Sequence, residues 1–362
     1  FYKLNKIMQY LPQEIQFKIL QNLNFDELIL IKQTSHHFYD FISKHGDSLA
    51  RKRFNNIILD VPTSIYYEHD VRKIDFSRSA GPFLDFPYNK ELIKKWNLAL
   101  DERIPVYLNS RVNTPPQQKL ALFFYNDVDN NVIETNLYEY YFPSKCTFIL
   151  TMPLYPKNFV EFKFVRYWLN QIFHCDFEYL NFSKFLFNPE MIELLFDSEE
   201  IKKLKINCQK SEFCFFTPKL DVWKFFFEHL VISELIWIRF ESLNTSTDDD
   251  NILLHILLNE GIRIPEVVLF QPKRHITLIK LIIEHVEKTK DLSKLVTKIT
   301  FDCIKLPISE LIIKGKVEEE YNDNIKYYEL ANINNNMKKF SIRWICSKKN
   351  NLINNLKIMR ID

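Results

Sequence analysis

The sequence predicts a mixed α+β / α/β chain: a three-helix N-terminal hook, a β-rich adaptor segment, and an irregular strand–helix solenoid. Three observations carry this. Short stripes of helical period fill the first 54 residues. Repeated prolines from Pro62 to Pro156 confine regular structure there to short runs. From residue 157 onward, apolar strand-like runs alternate with helix-like ones at a nearly constant interval.

Composition bounds the answer first. The 362 residues include 48 Lys+Arg and 46 Asp+Glu, a formal net charge of +2, which argues against a dedicated nucleic-acid binder. With 46% hydrophobic residues, 32 Phe and 17 Tyr, the chain can bury a sizeable core and is not of disordered composition. Its length suggests two or three structural units. The four glycines, Gly46, Gly81, Gly261 and Gly315, stand far apart. That excludes a dinucleotide fingerprint, a Walker loop and a Gly-x-Ser-x-Gly elbow, each of which needs clustered glycines. No cysteine pair is spaced Cys-x-x-Cys, so the six cysteines read as free thiols in a reducing compartment, cytoplasm and/or nucleus. No apolar run is long enough to span a bilayer, and no membrane association is expected. No signal peptide is visible, although the chain begins with Phe1 rather than Met, which leaves a preceding segment open.

The first helix is expected over Leu11–Leu23, with Pro12 at the first helical position, Glu14 in the first turn, and Ile15, Ile19, Leu20 and Leu23 forming one apolar stripe. Asp26 is expected to cap a second helix carrying Leu28, Ile29 and Ile31. Ser35 is expected to cap a third carrying Phe38, Phe41, Ile42 and His45, which Gly46 ends. Arg51-Lys52-Arg53 reads as a solvated helix end. A unit of about 40 residues is too small to stand without a staple or a partner, so its apolar surface must dock on something.

These residues carry a resemblance. Leu11-Pro12-x-Glu14-Ile15-x-x-x-Ile19-Leu20-x-x-Leu23, then Phe25-Asp26-Glu27-Leu28, then Thr34-Ser35-x-x-Phe38-Tyr39-x-Phe41-Ile42 resembles an F-box over residues 9–54. The resemblance implies an adaptor-binding hook. Leu11, Pro12, Ile15, Ile19, Leu20, Leu23 and Leu28 would face a Skp-type adaptor of an SCF cullin–RING ubiquitin ligase or lock the hook. Thr34, Gln33 and Phe38 depart from the family's usual Val, Leu and Trp and weaken the match of the third helix. A DNA-binding helix-turn-helix is the alternative three-helix arrangement. Its recognition helix should be rich in Arg, Lys, Asn or Gln, whereas here it would offer His36, His37, Tyr39 and Asp40.

The middle segment, 55–156, offers strand-like pieces at 57–61, 106–108, 120–125 and 147–150, and one helix at 90–100 with Leu92, Trp96 and Leu100 in line. Residues 114–118 read as a linker. Asp127-Val128-Asp129-Asn130-Asn131 reads as a solvated turn rather than a calcium loop: it lacks the glycine at the sixth position, and Tyr138 stands at the twelfth.

In 157–310, helices marked by Phe162, Val165, Leu169 and Ile172, by 189–196, by 222–229, by a helix opening at Asp248-Asp249-Asp250 and closing at Gly261, and by Ile276 to Val286 alternate with strands. The strands are expected at 177–182, 203–208, 235–240, 267–270 and 298–302, centred near 180, 204, 236, 267 and 299. One strand and one helix per unit cannot bury its own apolar side, so units stack into a parallel sheet. This resembles a divergent leucine-rich repeat, with a doubly wound sheet as the alternative. The acidic run at 248–250 is read as helix N-terminal charge, not a metal site. In 311–362, Tyr327 to Leu330 and Lys339 to Ile345 suggest a terminal hairpin capping the sheet edge, and the basic, Asn-rich tail from Ser347 is expected to fray.

The order of segments resembles the large nematode F-box families with a divergent C-terminal recognition region. That implies a non-catalytic receptor subunit with a Skp-type adaptor, a cullin and an unknown protein substrate as partners, and no cofactor, metal or catalytic residue. A repeat scaffold outside any ligase, and a hydrolase with a site assembled from distant residues, remain the alternatives. Lys203, Lys205, Asn207, Trp237, Arg239, Lys298, Thr300 and Asp302 alternate along the predicted strands, and a one-residue slip would exchange their faces. The sequons at Asn181 and Asn244 read as chance.

Overall fold

The computed structural model describes residues 8, 10–23, 25–32, 34–60, 72–75, 89–109, 119–125, 146–215, 220–240, 247–270, 275–311, 316–319, 325–332, 335–346 and 352–361. The linker at 114–118, the 127–131 turn and Asn244 lie outside these residues.

Helices α1 (Gln13–Gln21), α2 (Phe25–Lys32) and α3 (His36–His45) form the hook, followed by a 3₁₀ turn at Gly46–Ser48. The chain then enters strand β1 (Lys52–Asp60). Arg51-Lys52-Arg53 is therefore not a helix end: Lys52 and Arg53 open β1, and Arg51 is turned inward. Next come β2 (Arg72–Asp75), α4 (Lys90–Asp101), β3 (Tyr107–Asn109), β4 (Lys119–Tyr125) and β5 (Cys146–Pro153). Asn89 caps α4 by accepting from Leu92 N at 2.8 Å, and the period expected of α4 puts Trp96 in the core, where its Nε1 donates to Leu194 O at 3.1 Å.

The strand–helix half follows as α5 (Phe159–Phe173), β6 (Cys175–Phe182), β7 (Phe185–Phe187), α6 (Pro189–Leu195), α7 (Ser198–Lys203), β8 (Ile206–Phe215), α8 (Leu220–His229), β9 (Leu230–Phe240), α9 (Thr247–Asn259), β10 (Glu266–Phe270), α10 (His275–Lys288) and β11 (Lys298–Pro307). The strand expected at 203–208 begins three residues later and runs to 215. A reciprocal capping box between Asp197 and Glu200 nucleates α7 instead and takes Lys203 into it. Asp248–Asp250 fall in the first turn of α9, as helix N-terminal charge should.

Four strands close the chain: β12 (Lys316–Glu319), β13 (Ile325–Asn332), β14 (Asn335–Cys346) and β15 (Leu352–Arg360). β13 and β14 pair as the expected antiparallel hairpin. The tail does not fray. β15 inserts between β11 and β14, antiparallel to both, with Ile353, Leu356 and Ile358 buried. Burial of those apolar side chains outweighs the basic, Asn-rich character of the tail.

Among the described residues, thirteen strands form one sheet in the order β12-β13-β14-β15-β11-β10-β9-β8-β6-β1-β4-β5-β2, and β3 pairs with β7 separately. From β6 to β11 the pairing is parallel and the spatial order follows the chain without reversal, unlike a doubly wound sheet. The register aligns Leu180, Ser211, Ile236, Val267 and Ile299, spacings of 31, 25, 31 and 32 residues. The short unit is thus the second, not the first as the strand centres implied, because β8 lies further along the chain. On the other flank β1 pairs parallel to β6, so the strand leaving the hook lies inside the sheet.

The row Phe182, Phe213, Ile238, Leu269 and Phe301 faces the helices in one continuous core with Trp223, Leu257 and Ile282. A smaller cluster (Ile58, Ala121, Phe123, Tyr125 and Ile149) occupies the other face at the β1-β4-β5 end. Asn181 is buried and accepts from Ser183 Oγ at 2.7 Å, so its sequon is inside the fold.

Candidate functional site

Two surfaces are set by the fold: the outside of the hook and the sheet face turned away from the helices.

In the hook, Pro12 precedes α1 instead of starting it, with φ −52° and ψ 145°. Its ring fixes φ, and its carbonyl accepts from both Ile15 N and Gln16 N at 3.0 Å, which sets the first turn. α2 begins at Phe25, so Asp26 lies inside its first turn rather than capping it. Ser35 caps α3 as expected, accepting from Phe38 N at 3.3 Å. Gly46 ends α3 with ordinary right-handed angles, φ −53° and ψ −36°, and passes the chain into the 3₁₀ turn.

Leu20, Leu28, Ile31, Phe38, Phe41, Ile42 and Leu49 make a core of their own, against which Leu11, Phe17, Ile19 and Leu23 pack in part. The adaptor-facing candidates therefore divide. Leu20 and Leu28 are inside and hold the helices together; Leu11, Ile19 and Leu23 are half-buried; Pro12 and Ile15 are on the surface, Ile15 at 43% exposure. Three further exposed apolar side chains, Tyr10, Leu30 and Tyr39, stand outside the adaptor-facing candidates. Lys32 Nζ lies 4.8 Å from the Tyr39 ring, and partial burial lowers its pKa. Gln16 was missed by the sequence reading. It sits one turn before Leu20, so it shares the inward face of α1, and it is buried between Leu11 and His37.

The hook is fastened to the sheet by Arg51. Its Nη1 donates to Phe173 O at 3.1 Å and to Lys205 O at 2.8 Å, carbonyls at the end of α5 and just before β8. Its Nε lies 3.9 Å from Asp176.

On the sheet, the register settles which alternating residues share a face. Asn207, Trp237, Arg239, Lys298, Thr300 and Asp302 all lie opposite the helix-covered side. Lys203 is in α7, and Lys205 precedes β8, where its Nζ donates to Glu228 O. The face is knitted by charge. Arg239 Nε lies 2.5 Å from Glu212 Oε1, Tyr179 Oη donates to Glu212 Oε2, and Lys298 Nζ is 2.8 Å from Glu266 Oε2. Arg239 also lies over the Phe270 ring, and Trp237 packs edge-on to Tyr179. Among the described residues, no cluster of three or more His, Cys, Asp or Glu could hold a metal ion. No described helix is long and apolar enough to cross a membrane.

The hook's geometry meets an independent finding. Residues 8–47 match the F-box domain. That match supports an F-box protein, and an F-box domain implies in general a role in binding the adaptor of SCF complexes, typically as a non-catalytic substrate receptor. Residues 79–241, from before α4 to just past β9, match a domain of unknown function (DUF8381). No curated protein and no solved structure matches the chain.

Proposed function

We propose that this chain is the substrate-recognition subunit of an SCF-type cullin–RING ubiquitin ligase. The observation that carries the proposal is the F-box match over three helices that bury Leu20 and Leu28 inside while leaving Pro12 and Ile15 at the surface. In this reading Pro12, Ile15 and the accessible parts of Leu11, Ile19 and Leu23 meet the Skp-type adaptor. A cullin is reached through that adaptor. The sequential parallel strands β6 to β11, each with a helix in the connection, support a leucine-rich-repeat-like recognition module, and the order of segments resembles the nematode F-box families with a divergent C-terminal recognition region. A target protein would dock on its open face. The boundaries 9–54, 55–156, 157–310 and 311–362 then separate hook, adaptor segment, repeats and capping strands, and the complex would act in the cytoplasm and/or nucleus.

Catalysis in such a complex belongs to other subunits. This chain contributes proximity, raising the effective concentration of a bound target near the ubiquitin carrier. The test is a pulldown of the full chain with a Skp-type adaptor and cullin, wild type against Pro12→Ala/Ile15→Glu. Both changes are on the surface, so circular dichroism should be unchanged while binding is lost. A folded wild-type chain that binds no adaptor would sink the ligase reading and leave a free-standing interaction scaffold.

A further inference from the structure

Three apolar side chains stand together in the middle of the open face. Leu235 and Trp237 follow each other on that side of β9, and Val268 on β10 lies directly beside Trp237. All three are half-buried, so each keeps part of its surface in water. Tyr179 packs edge-on against the Trp237 ring, 6.2 Å between centroids, and braces it from β6. The register sets Leu235 between Lys210 on β8 and Glu266 on β10, and Trp237 between Glu212 and Val268.

The charges around this patch cancel. Lys210 Nζ lies 3.6 Å from Glu234 Oε2, Arg239 Nε 2.5 Å from Glu212 Oε1, and Lys298 Nζ 2.8 Å from Glu266 Oε2. Arg239 is held further by the Phe270 ring and Glu212 by Tyr179 Oη. A charged side chain laid here would lose its water and find each opposite charge already matched. An apolar one would release water from Trp237 and its neighbours and leave the ion pairs at its edge, which is the anatomy of an interface core inside a polar rim. The next cation along the row, Lys357, lies two strands beyond Val268, about 10 Å away. At that distance ordinary salt screens it.

We propose that Leu235, Trp237 and Val268 are the docking site for an uncharged, extended segment of a target protein that presents two aliphatic side chains two residues apart. A strand rises about 3.3 Å per residue, so Leu235 and Trp237 are about 7 Å apart, the spacing of alternate side chains in an extended segment lying along β9. Charge complementarity commits the site to this class: the ring of ion pairs is neutral, and neither an acidic nor a basic segment finds a counter-charge in it. This target class deepens the receptor reading above and rests on it.

The test is a fluorescence-anisotropy titration of the full chain with a fluorescein-labelled peptide bearing a Ser-Leu-Ser-Leu-Ser core, and with two controls in which Glu or Lys replaces every Ser. The uncharged peptide should bind saturably, its affinity should not fall as salt is raised, and both charged versions should bind more weakly. Trp237→Ala should weaken binding about tenfold. Val268→Thr keeps the β-branched shape and should weaken it to a lesser degree, and Lys357→Gln should leave it unchanged. Unfolding midpoints identify any variant that fails to fold, and Val268→Thr decides the matter if Trp237→Ala does. Absence of saturable binding, or wild-type affinity in the folded Trp237 and Val268 variants, overturns the proposal. So does tighter binding of either charged peptide, or an affinity that falls with salt. The adaptor pulldown on the same preparations separates the two readings. Adaptor binding without peptide binding removes only the apolar docking site, and peptide binding without adaptor binding removes only the ligase role.

Discussion

Gln16 Oε1 lies 2.7 Å from His37 Nε2 and joins α1 to α3 through the inside of the hook. The Gln16 amide nitrogen donates to Leu11 O at 2.8 Å, so its oxygen is the acceptor and His37 Nε2 the donor. One buried side chain therefore sets both the entry to α1 and the approach of α3. Gln16→Leu fills the same space with no polar atom and strands both partners. The hook should lose about 1–3 kcal/mol, read as faster hydrogen–deuterium exchange in α1 and α3 with exchange in β8 to β11 unchanged. Unchanged exchange in α1 and α3 would mean the bond carries no stability.

Arg51 should behave differently, because it joins two parts of the molecule instead of two helices. One nitrogen, Nη1, meets both carbonyls while Nε faces Asp176, so the planar guanidinium serves three groups from two separated atoms, which the single ammonium of Lys cannot do. Arg51→Ala should cost about 1.5–3 kcal/mol in urea unfolding, and Arg51→Lys should recover only part of that. Adaptor binding should persist in both, since the hook's own core does not include Arg51. Full recovery by Lys would show that the charge near Asp176, not the planar spread of donors, is what matters.

Why Arg51 escaped the sequence reading also shows where such a reading stops. The hook was legible because helix caps and apolar stripes are local: Ser35, Leu20 and Leu28 do what their spacing implies. The alternation of strands and helices was legible for the same reason. Partners distant in the chain were not. Arg51 meets Phe173 and Lys205, and β1 pairs with β6, across more than a hundred residues of chain. Nor could alternation say which side of a strand faces the helices; the burial of Ile236 and its partner Val267 in the helix-packed core fixes Trp237 on the open face. β15 was misread because composition was weighed over the spacing of Ile353, Leu356 and Ile358.

His229 gives the protein a pH response of predictable sign. Its Nδ1 donates to Leu204 O at 2.7 Å, and its ring packs on Phe225 and Phe173. Burial lowers its pKa from the model-peptide value of 6.5, and the bond to Leu204 O opposes this only in part. The unfolded chain then binds a proton more readily than the folded one between the lowered value and 6.5. Stability from this group is complete above 6.5 and is lost as pH falls through that window. His285, also lowered by burial, adds in the same direction. His229→Asn keeps a donor near Leu204 O without titrating. Its unfolding midpoint should fall less than wild type's between neutral and mildly acidic pH, and parallel curves for the two proteins would remove His229 as a source.

Gly261 is required for close approach and not for a left-handed turn. It follows α9, where a helix-ending glycine is expected to adopt positive φ, yet no described glycine does. A Cβ built at Gly261 would instead come within 2.1 Å of Leu295 O and 2.6 Å of Val296 N. Backbone hydrogen bonds hold the two segments at this spacing: Gly261 N donates to Lys294 O at 2.8 Å and Val296 N to Leu257 O at 2.9 Å. The contact sets the loop before β11 against the end of α9, with Leu292, Leu295 and Val296 buried beside it. The obstacle is backbone, so no side-chain rotation relieves the clash. Gly261→Ala should destabilise by about 1–3 kcal/mol or more, with faster hydrogen–deuterium exchange at Val296 and at the start of β11. Asn tolerates positive φ better than Ala does, so Gly261→Asn distinguishes the two causes. If steric approach decides, Asn is at least as damaging as Ala; if backbone angle decides, Asn is the milder change.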